Sequence, residues 1–459
     1  MFPYLRRLQF EESSREFAAL ITLGKSMIET PAEAADPGRD NDLIPAGFTY
    51  LGQFVDHDIT LDTTPLSEQA VDPEAVHNFR TPKLDLDCVY GGGPAAMPFL
   101  YQRANPNLLL IGSNTRTDDQ AGIPVTPVGA PKRPNDLPRN DEGFALIGDP
   151  RNDENLIVAQ THLALMKFHN KIVTSQNVGF ADARRLTTWH YQWIVLHDFV
   201  ARLVTSAVLD DVLQPHGREF YHFHQDAFMP IEFSVAAYRL GHSMVREQYD
   251  HNRVFGPGPG RLFTADLPTL FRFTGLSGTG GDVPVPDNWI IDWRRFHAGL
   301  PALPTGAAFN QSRRLDPKIT TALGSLPIPE PNPDLKNLAV RNLIRSNSLG
   351  LPSGQSVARQ MGIARLTPSE IQSGSTTLDR QTPLWFYILR EAEVKGGGKR
   401  LGPVGGRIVA ETFVGLLQGD ASSYLAQEPD WTPELPGVNA GDFTMGDLLN
   451  FVGDVNPIG

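Results

Sequence analysis

One cysteine, Cys88, in a chain of 459 residues excludes an intrachain disulfide, so packing and any bound cofactor or metal must hold the fold. No window offers about 18 uninterrupted apolar residues, which removes a membrane-spanning helix. Positive charge is in deficit. Lys and Arg number 40 against 52 Asp and Glu, for a formal net charge of −12, the wrong sign for coating nucleic acid or an anionic membrane. The opening MFPYLRRLQFEESSREF has an Arg pair with no apolar run behind it. The absence of an ordinary signal peptide predicts a cytoplasmic protein, or one secreted by another route. No internal repeat or low-complexity tail is visible.

What remains is globular. Hydrophobic residues make up 41%, charged residues 20% and aromatics 9%, enough to bury a sizeable core. Gly (42) and Pro (38) exceed the usual joint share of roughly 12% and concentrate at 91–150, 255–304 and 326–334, which predicts long ordered loops. Apolar spacing of three and four predicts helices at the end of 41–58 and over 155–173, 187–208, 232–248, 335–346 and 406–417. No convincing period-two strand lies between them. The expected fold is mainly α-helical, one large domain over 41–420 with little β structure. Residues 1–40 are expected to form an N-terminal extension packed on it, and 421–459 a C-terminal extension.

Five runs carry chemistry. In Gly52-Gln53-Phe54-Val55-Asp56-His57-Asp58 an amide, an imidazole and two carboxylates crowd onto about two helical turns, with Gln53 and His57 on one face. A lone histidine is usually a satisfied core or surface residue; this one has company. Thr81-Pro82-Lys83-Leu84-Asp85-Leu86-Asp87 offers hard oxygen donors of the kind Ca2+ takes, short by one acid that Asp58 would supply; by itself, DLD is more often a turn. Gly148-Asp149-Pro150-Arg151-Asn152-Asp153-Glu154 places Arg151 just ahead of a helix, either as a solvated charge or as a fixed set of donors. Tyr238-Arg239-Leu240-Gly241-His242 has a glycine that allows close approach to the backbone. In LAVRNLIRS, Asn342 and Arg345 are polar islands in an apolar helix.

In this order the five runs resemble the animal-type haem peroxidases of the peroxidase-cyclooxygenase superfamily. GQFVDHD matches that family's distal-histidine motif, and TPKLDLDCVYG its calcium loop. GDPRNDENLIVAQTHLALMKFHNKI matches its distal-arginine helix, YRLGHSMV its proximal-histidine helix, and NLAVRNLIRS the segment bearing the proximal asparagine and a buried arginine. With weaker similarity in LDPKITTALGSLP and RLGPVGGRIVAETF, the likeness runs from about 40 to 418, as in a compact, bacterial-type member. Beside the proximal asparagine the likeness fails: Ser346-Asn347-Ser348-Leu349-Gly350 replaces the family's charged stretch.

The resemblance implies haem b bound by His242 as proximal iron ligand, with Asn342 accepting that ring's other proton and Arg239 and Arg345 nearby. It makes His57 the distal acid-base residue, Gln53 an orienting amide and Arg151 the group that polarises peroxide. Asp56 and Glu154 occupy positions that form haem ester links in mammalian members. Asn155 replaces the methionine of myeloperoxidase, so a sulfonium link is not expected. Calcium would be held by Thr81, the Lys83 carbonyl, Asp85, Asp87 and Asp58. The implied activity is that of a monomeric peroxidase, reducing hydrogen peroxide through a ferryl intermediate and oxidising phenols, amines, halide or thiocyanate, with no nucleic-acid partner. The alternatives are a fatty-acid dioxygenase or cyclooxygenase-like oxygenase, and a haem-bearing adhesion protein. Against the oxygenases, Arg239 stands where their radical tyrosine would be, three residues before the proximal histidine. Tyr238, one position away, would point about 100° around a regular helix.

Overall fold

Carboxamides at chain reversals start the helices that matter for the site. Asn155 accepts from the Val158 amide at 3.1 Å and Asn337 from the Val340 amide at 3.1 Å, each satisfying a donor that a helix leaves unpaired at its start. The computed structural model describes residues 1–61, 78–115, 133–257, 261–276, 282–328 and 330–458; parts of the three predicted loops fall outside them. Its principal helices are α1 (Arg15–Ser26), α2 (Gly47–Ile59), α3 (Leu156–Gln176), α4 (Phe180–Trp193), α5 (Leu338–Ser348), α6 (Leu384–Gly396), α7 (Pro403–Gly419) and α8 (Met445–Val452). No described helix is long and apolar enough to cross a membrane.

The fold is mainly α-helical with little strand, as the sequence predicts. In α2 the expected apolar face, Phe48, Leu51, Phe54 and Val55, is buried, and the helix packs against α3. Helix α1 lies so close on α5 that a Cβ added to Gly24 would stand 2.8 Å from Val340 Cα. At the other end of the chain, α8 packs on α3, and Trp431 meets Trp189 of α4 edge-on, ring centroids 5.4 Å apart.

Among the described residues the little β structure expected consists of short strands: β1 (Asp40–Pro45) pairs antiparallel with β4 (Gln311–Arg313), and β2 (Gln248–Tyr249) with β3 (Ala265–Asp266). At two to six residues, with a register shift between Asn41 and Pro45, they are too short and irregular to show a period of two. One expectation is corrected: the helices over 187–208 and 232–248 are interrupted. After α4 the chain runs through a π turn at Ile194–Val200 and breaks at Val204, extended at φ −111° and ψ 166°. The segment around His242 is a π turn (Glu232–Ala236), a 3-10 turn (Ala237–Leu240) and one α turn (Gly241–Met244). The Glu232 carboxylate at its head is held by the amine of Met1 (3.1 Å) and the amide of Phe2 (3.0 Å).

The first residue of α2 is glycine for a packing reason, because a Cβ on Gly47 would overlap the imidazole of buried His297. Gly47→Ala is expected to cost about 1–3 kcal/mol through overpacking and to lower the melting temperature; an unchanged calorimetric midpoint would mean that His297 yields freely.

Candidate functional site

Helix α2 and the broken segment 232–244 contribute walls to one cavity of about 310 Å³, at the small end of the roughly 300–1,000 Å³ typical of ligand pockets. His57 comes from α2 and His242 from 185 residues further on, and both line this cavity. Gln53, Asp56, Glu154 and Arg239 share the lining with apolar side chains such as Leu267 and Phe271. Gly241 is on the wall too, and a Cβ there would meet nothing within 4 Å. Its missing side chain therefore adds open space where the resemblance places a flat ligand.

On the His57 side the polar groups are interlocked. His57 Nδ1 lies 2.9 Å from Asn152 Oδ1. Burial and the neighbouring Arg151 charge bring its pKa down to about 4, so the ring is neutral at physiological pH. Gln53 accepts from Asn155 Nδ2 at 2.9 Å and donates to Glu154 Oε2 at 3.3 Å. Arg151 is placed differently from the expected peroxide-facing group. Its guanidinium is absent from the cavity wall and donates to the carbonyls of His57 (2.9 Å) and Thr60 (2.6 Å) and to Asp149 (2.7 Å). Two of those acceptors are carbonyls at the end of α2, which the helix leaves without an internal partner.

On the other side, burial and nearby Arg239 lower the His242 pKa to about 3. Asn342, from α5, reaches His242 Nδ1 at 2.8 Å through its amide nitrogen, the reverse of the expected proton-accepting orientation. A half-turn of this carboxamide exchanges donor for acceptor, and a metal on Nε2 would require it, since Nδ1 then carries the proton. Arg239 donates to the Ser234 carbonyl at 2.9 Å. Arg345, one turn beyond Asn342, is half-buried and not on the cavity wall. Tyr238 does line the cavity, its hydroxyl donating to the Gly52 carbonyl at 3.0 Å. In the 3-10 turn Tyr238 and Arg239 are about 120° apart, and both line the cavity. Sequence reasoning missed Trp385, whose ring meets His242 edge-on at 6.3 Å; only tertiary packing brings α6 there.

Directly after His57, Asp58 meets Asp85 and Asp87, with one carboxylate oxygen from each within 4.8 Å of the others. Leu86 turns the chain between the two loop acids with a left-handed φ of 57°. Asp58 Oδ2 accepts from the Leu86 amide (3.3 Å) and the Tyr191 hydroxyl (3.2 Å), while its buried Oδ1 has no partner. This donor set fits a hard cation. Thr81 and Lys83 sit on the same loop; the Thr81 carbonyl accepts from the Lys83 amide at 2.8 Å, and the Lys83 ammonium pairs with Asp420 at 3.3 Å. Arg80, also missed, donates to Asp87 at 2.7 Å and to Asp149 at 3.1 Å, joining this cluster to the partner of Arg151.

Burial and mutual repulsion hold Asp58 well above the usual carboxylate range and raise Asp85 to about 6. Both prefer a proton in the folded chain, so the stability they contribute is complete below pH 3.8 and lost as pH rises, for Asp85 through about 6. In chelated buffer, Asp58→Asn is expected to raise the melting temperature at pH 7.5, to raise it less at pH 5 and to leave it unchanged below pH 3.8. A fall at pH 7.5 would contradict the repulsion.

The family model described as "Animal haem peroxidase" matches residues 60–428. A "peroxidase-like protein" of Margaritifera margaritifera is 22% identical over 85% of this chain and 56% of its own length, so the chain spans little more than half of that relative. Among solved structures, peroxidase A from Dictyostelium discoideum has a TM-score of 0.57 at 15% identity, covering 92% of this chain and 88% of that one. A fatty acid alpha-dioxygenase from Oryza sativa has a TM-score of 0.59 at 14% identity, covering 98% and 80%. At these identities the two structures show a shared fold.

Proposed function

The chain belongs to the animal haem peroxidase family, and on that premise we propose that it binds haem b between His242 and His57 and reduces hydrogen peroxide with electrons from small donors. The observation that carries this reading is that both imidazoles line one cavity, neutral through burial. His242 Nε2 is the iron ligand once Asn342 holds the proton of Nδ1. Bound haem supplies the redox-active iron at which peroxide is reduced and through which donors are oxidised. His57 takes a proton from the incoming peroxide at Nε2 and returns it to the departing oxygen. Gln53, fixed at both ends of its amide, orients the oxygen atoms. Arg151 works from behind, holding the end of α2 and disfavouring the charged imidazole. Phenols, amines, halide and thiocyanate are the donor classes proposed, and Asp56 and Glu154, both on the wall, are the carboxylates available for ester links to haem methyls. Tyr238 on the same wall favours the lipid oxygenase as second reading. Oxygen uptake with a polyunsaturated fatty acid, abolished in Tyr238→Phe, would establish it.

Purified protein should show a Soret band that His242→Ala removes. His57→Ala should keep the band and slow the peroxide reaction by roughly 10²–10⁴-fold. Because the base must be neutral, the wild-type rate should stay level from pH 8 to pH 5 and fall as pH drops through about 4. Stopped-flow rates that ignore both changes would reject the role of His57.

For the acidic cluster we propose calcium, held by Asp58, Asp85 and Asp87 with the Thr81 and Lys83 oxygens completing the set. Ca2+ and protons compete for the same oxygens, so the gain in melting temperature between chelator and Ca2+ should be large at pH 7.5 and shrink as pH falls through about 6. A gain that grows on acidification would refute the assignment.

A further inference from the structure

Behind His57 runs a buried hydrogen-bonded relay, whose interpretation depends on the reading of His57 as the proton acceptor. His57 Nδ1 stands 2.9 Å from Asn152 Oδ1, and Asn152 Nδ2 stands 3.0 Å from His162 Nδ1. Asn152 and His162 are 0% exposed. A carboxamide oxygen only accepts and its nitrogen only donates. His57 must therefore donate from Nδ1, which leaves a lone pair on Nε2. His162 must accept at Nδ1.

We infer that Asn152, clamped by His162, is a positioning residue that fixes the distal imidazole as the Nδ1–H tautomer with a bare Nε2. Neutral imidazole has two tautomers, and only this one can take a proton through Nε2. Three further contacts hold the frame. The Asn152 amide donates to the Asp149 carbonyl at 3.1 Å within the turn Pro150–Asp153. Its neighbour Arg151 holds the His57 carbonyl at 2.9 Å, so the ring and the amide that orients it are fixed to one piece of backbone. His162 packs edge-on to Phe54 of α2, centroids 5.8 Å apart. The competing arrangement is a half-turn of the Asn152 amide, which would present N–H to His57 Nδ1 and move the ring proton to Nε2, abolishing the base. His162 opposes that half-turn as its Nε2–H tautomer, with Nδ1 accepting from Asn152 Nδ2, and burial, which lowers its pKa to about 3, keeps a second proton off Nδ1.

The test uses full-length, haem-loaded protein. Nitrogen-15 histidine spectra of the diamagnetic carbon monoxide complex should show His57 protonated at Nδ1 in the wild type and a mixture of tautomers in His162→Phe. The bimolecular rate with peroxide should fall about 10- to 100-fold in Asn152→Leu while the Soret band and the KM for a reducing donor stay at wild-type values. A merely structural role would disturb both of these. Asn152→Ser, smaller and still polar, carries the measurement should the leucine variant fail to fold. An Nε2–H signal in the wild type, or Asn152 variants within twofold of the wild-type rate, would overturn the inference. His57→Ala separates the two levels: a slow His57→Ala beside fast Asn152 variants removes only the relay, whereas a fast His57→Ala removes the base reading and the relay together.

Discussion

Burial of two imidazoles on one cavity is the constraint from which the rest of the site follows. Removing a histidine from water penalises its charged form, and His57 and His242 are brought to about 4 and 3 by that penalty. Each is left with a lone pair at neutral pH and a second nitrogen to satisfy. A buried ring nitrogen without a partner costs as much as a lost hydrogen bond, and carboxamides meet that need on both sides: Asn152 for His57 and Asn342 for His242. A carboxylate there would stabilise imidazolium and cancel the effect of burial. The choice of a neutral partner keeps each ring available as base or ligand.

Helix α2 is also anchored electrostatically at its C-terminal end. Asp58 follows His57 and belongs to the acidic cluster; Arg80 links Asp87 of that cluster to Asp149, and Asp149 links Arg80 to Arg151. Burial alone would raise Asp149, yet its two arginines bring it down to about 2, so the bridge stays charged across the physiological range. The acidic cluster and the position of the His57 carbonyl are thereby connected through contiguous charged contacts. A lysine in place of either arginine would lack the planar fork that reaches two acceptors at once.

What was legible in the sequence was local. The apolar spacing of α2 survives because its partners lie on one face at three- and four-residue intervals, and the site residues were legible because their motifs resemble those of a known family. Direction was not. Arg151 turns to carbonyls on α2 more than ninety residues away, and no spacing encodes that contact. The strands β1 and β4 are made by chain segments about 270 residues apart and are too short to leave a pattern. The break before His242 is held at its head by Met1 and Phe2. Asn152 stands in the run ahead of the predicted helix over 155–173, but its use by two histidines appears only in three dimensions.

The irregular winding around His242 is itself explained by the site. A regular helix over 232–248 would put Tyr238 and Arg239 on faces about 100° apart and would continue past Met244 into the region where β2 pairs with β3. The chain winds instead through a π turn and a 3-10 turn and ends its last α turn at Met244; Tyr238 and Arg239 both line the cavity, with the Tyr238 hydroxyl satisfied by Gly52 of α2. Such departures forgo regular backbone hydrogen bonds, and they persist where the surroundings over-determine them. Here Glu232 is pinned from the start of the chain, the Arg239 carbonyl accepts from Trp385 at 3.2 Å, and the Arg239 side chain returns to Ser234. The segment is held from outside by the start of the chain and by α6 and is tied to itself through Ser234, and so His242 can stand on one α turn without a long helix to support it.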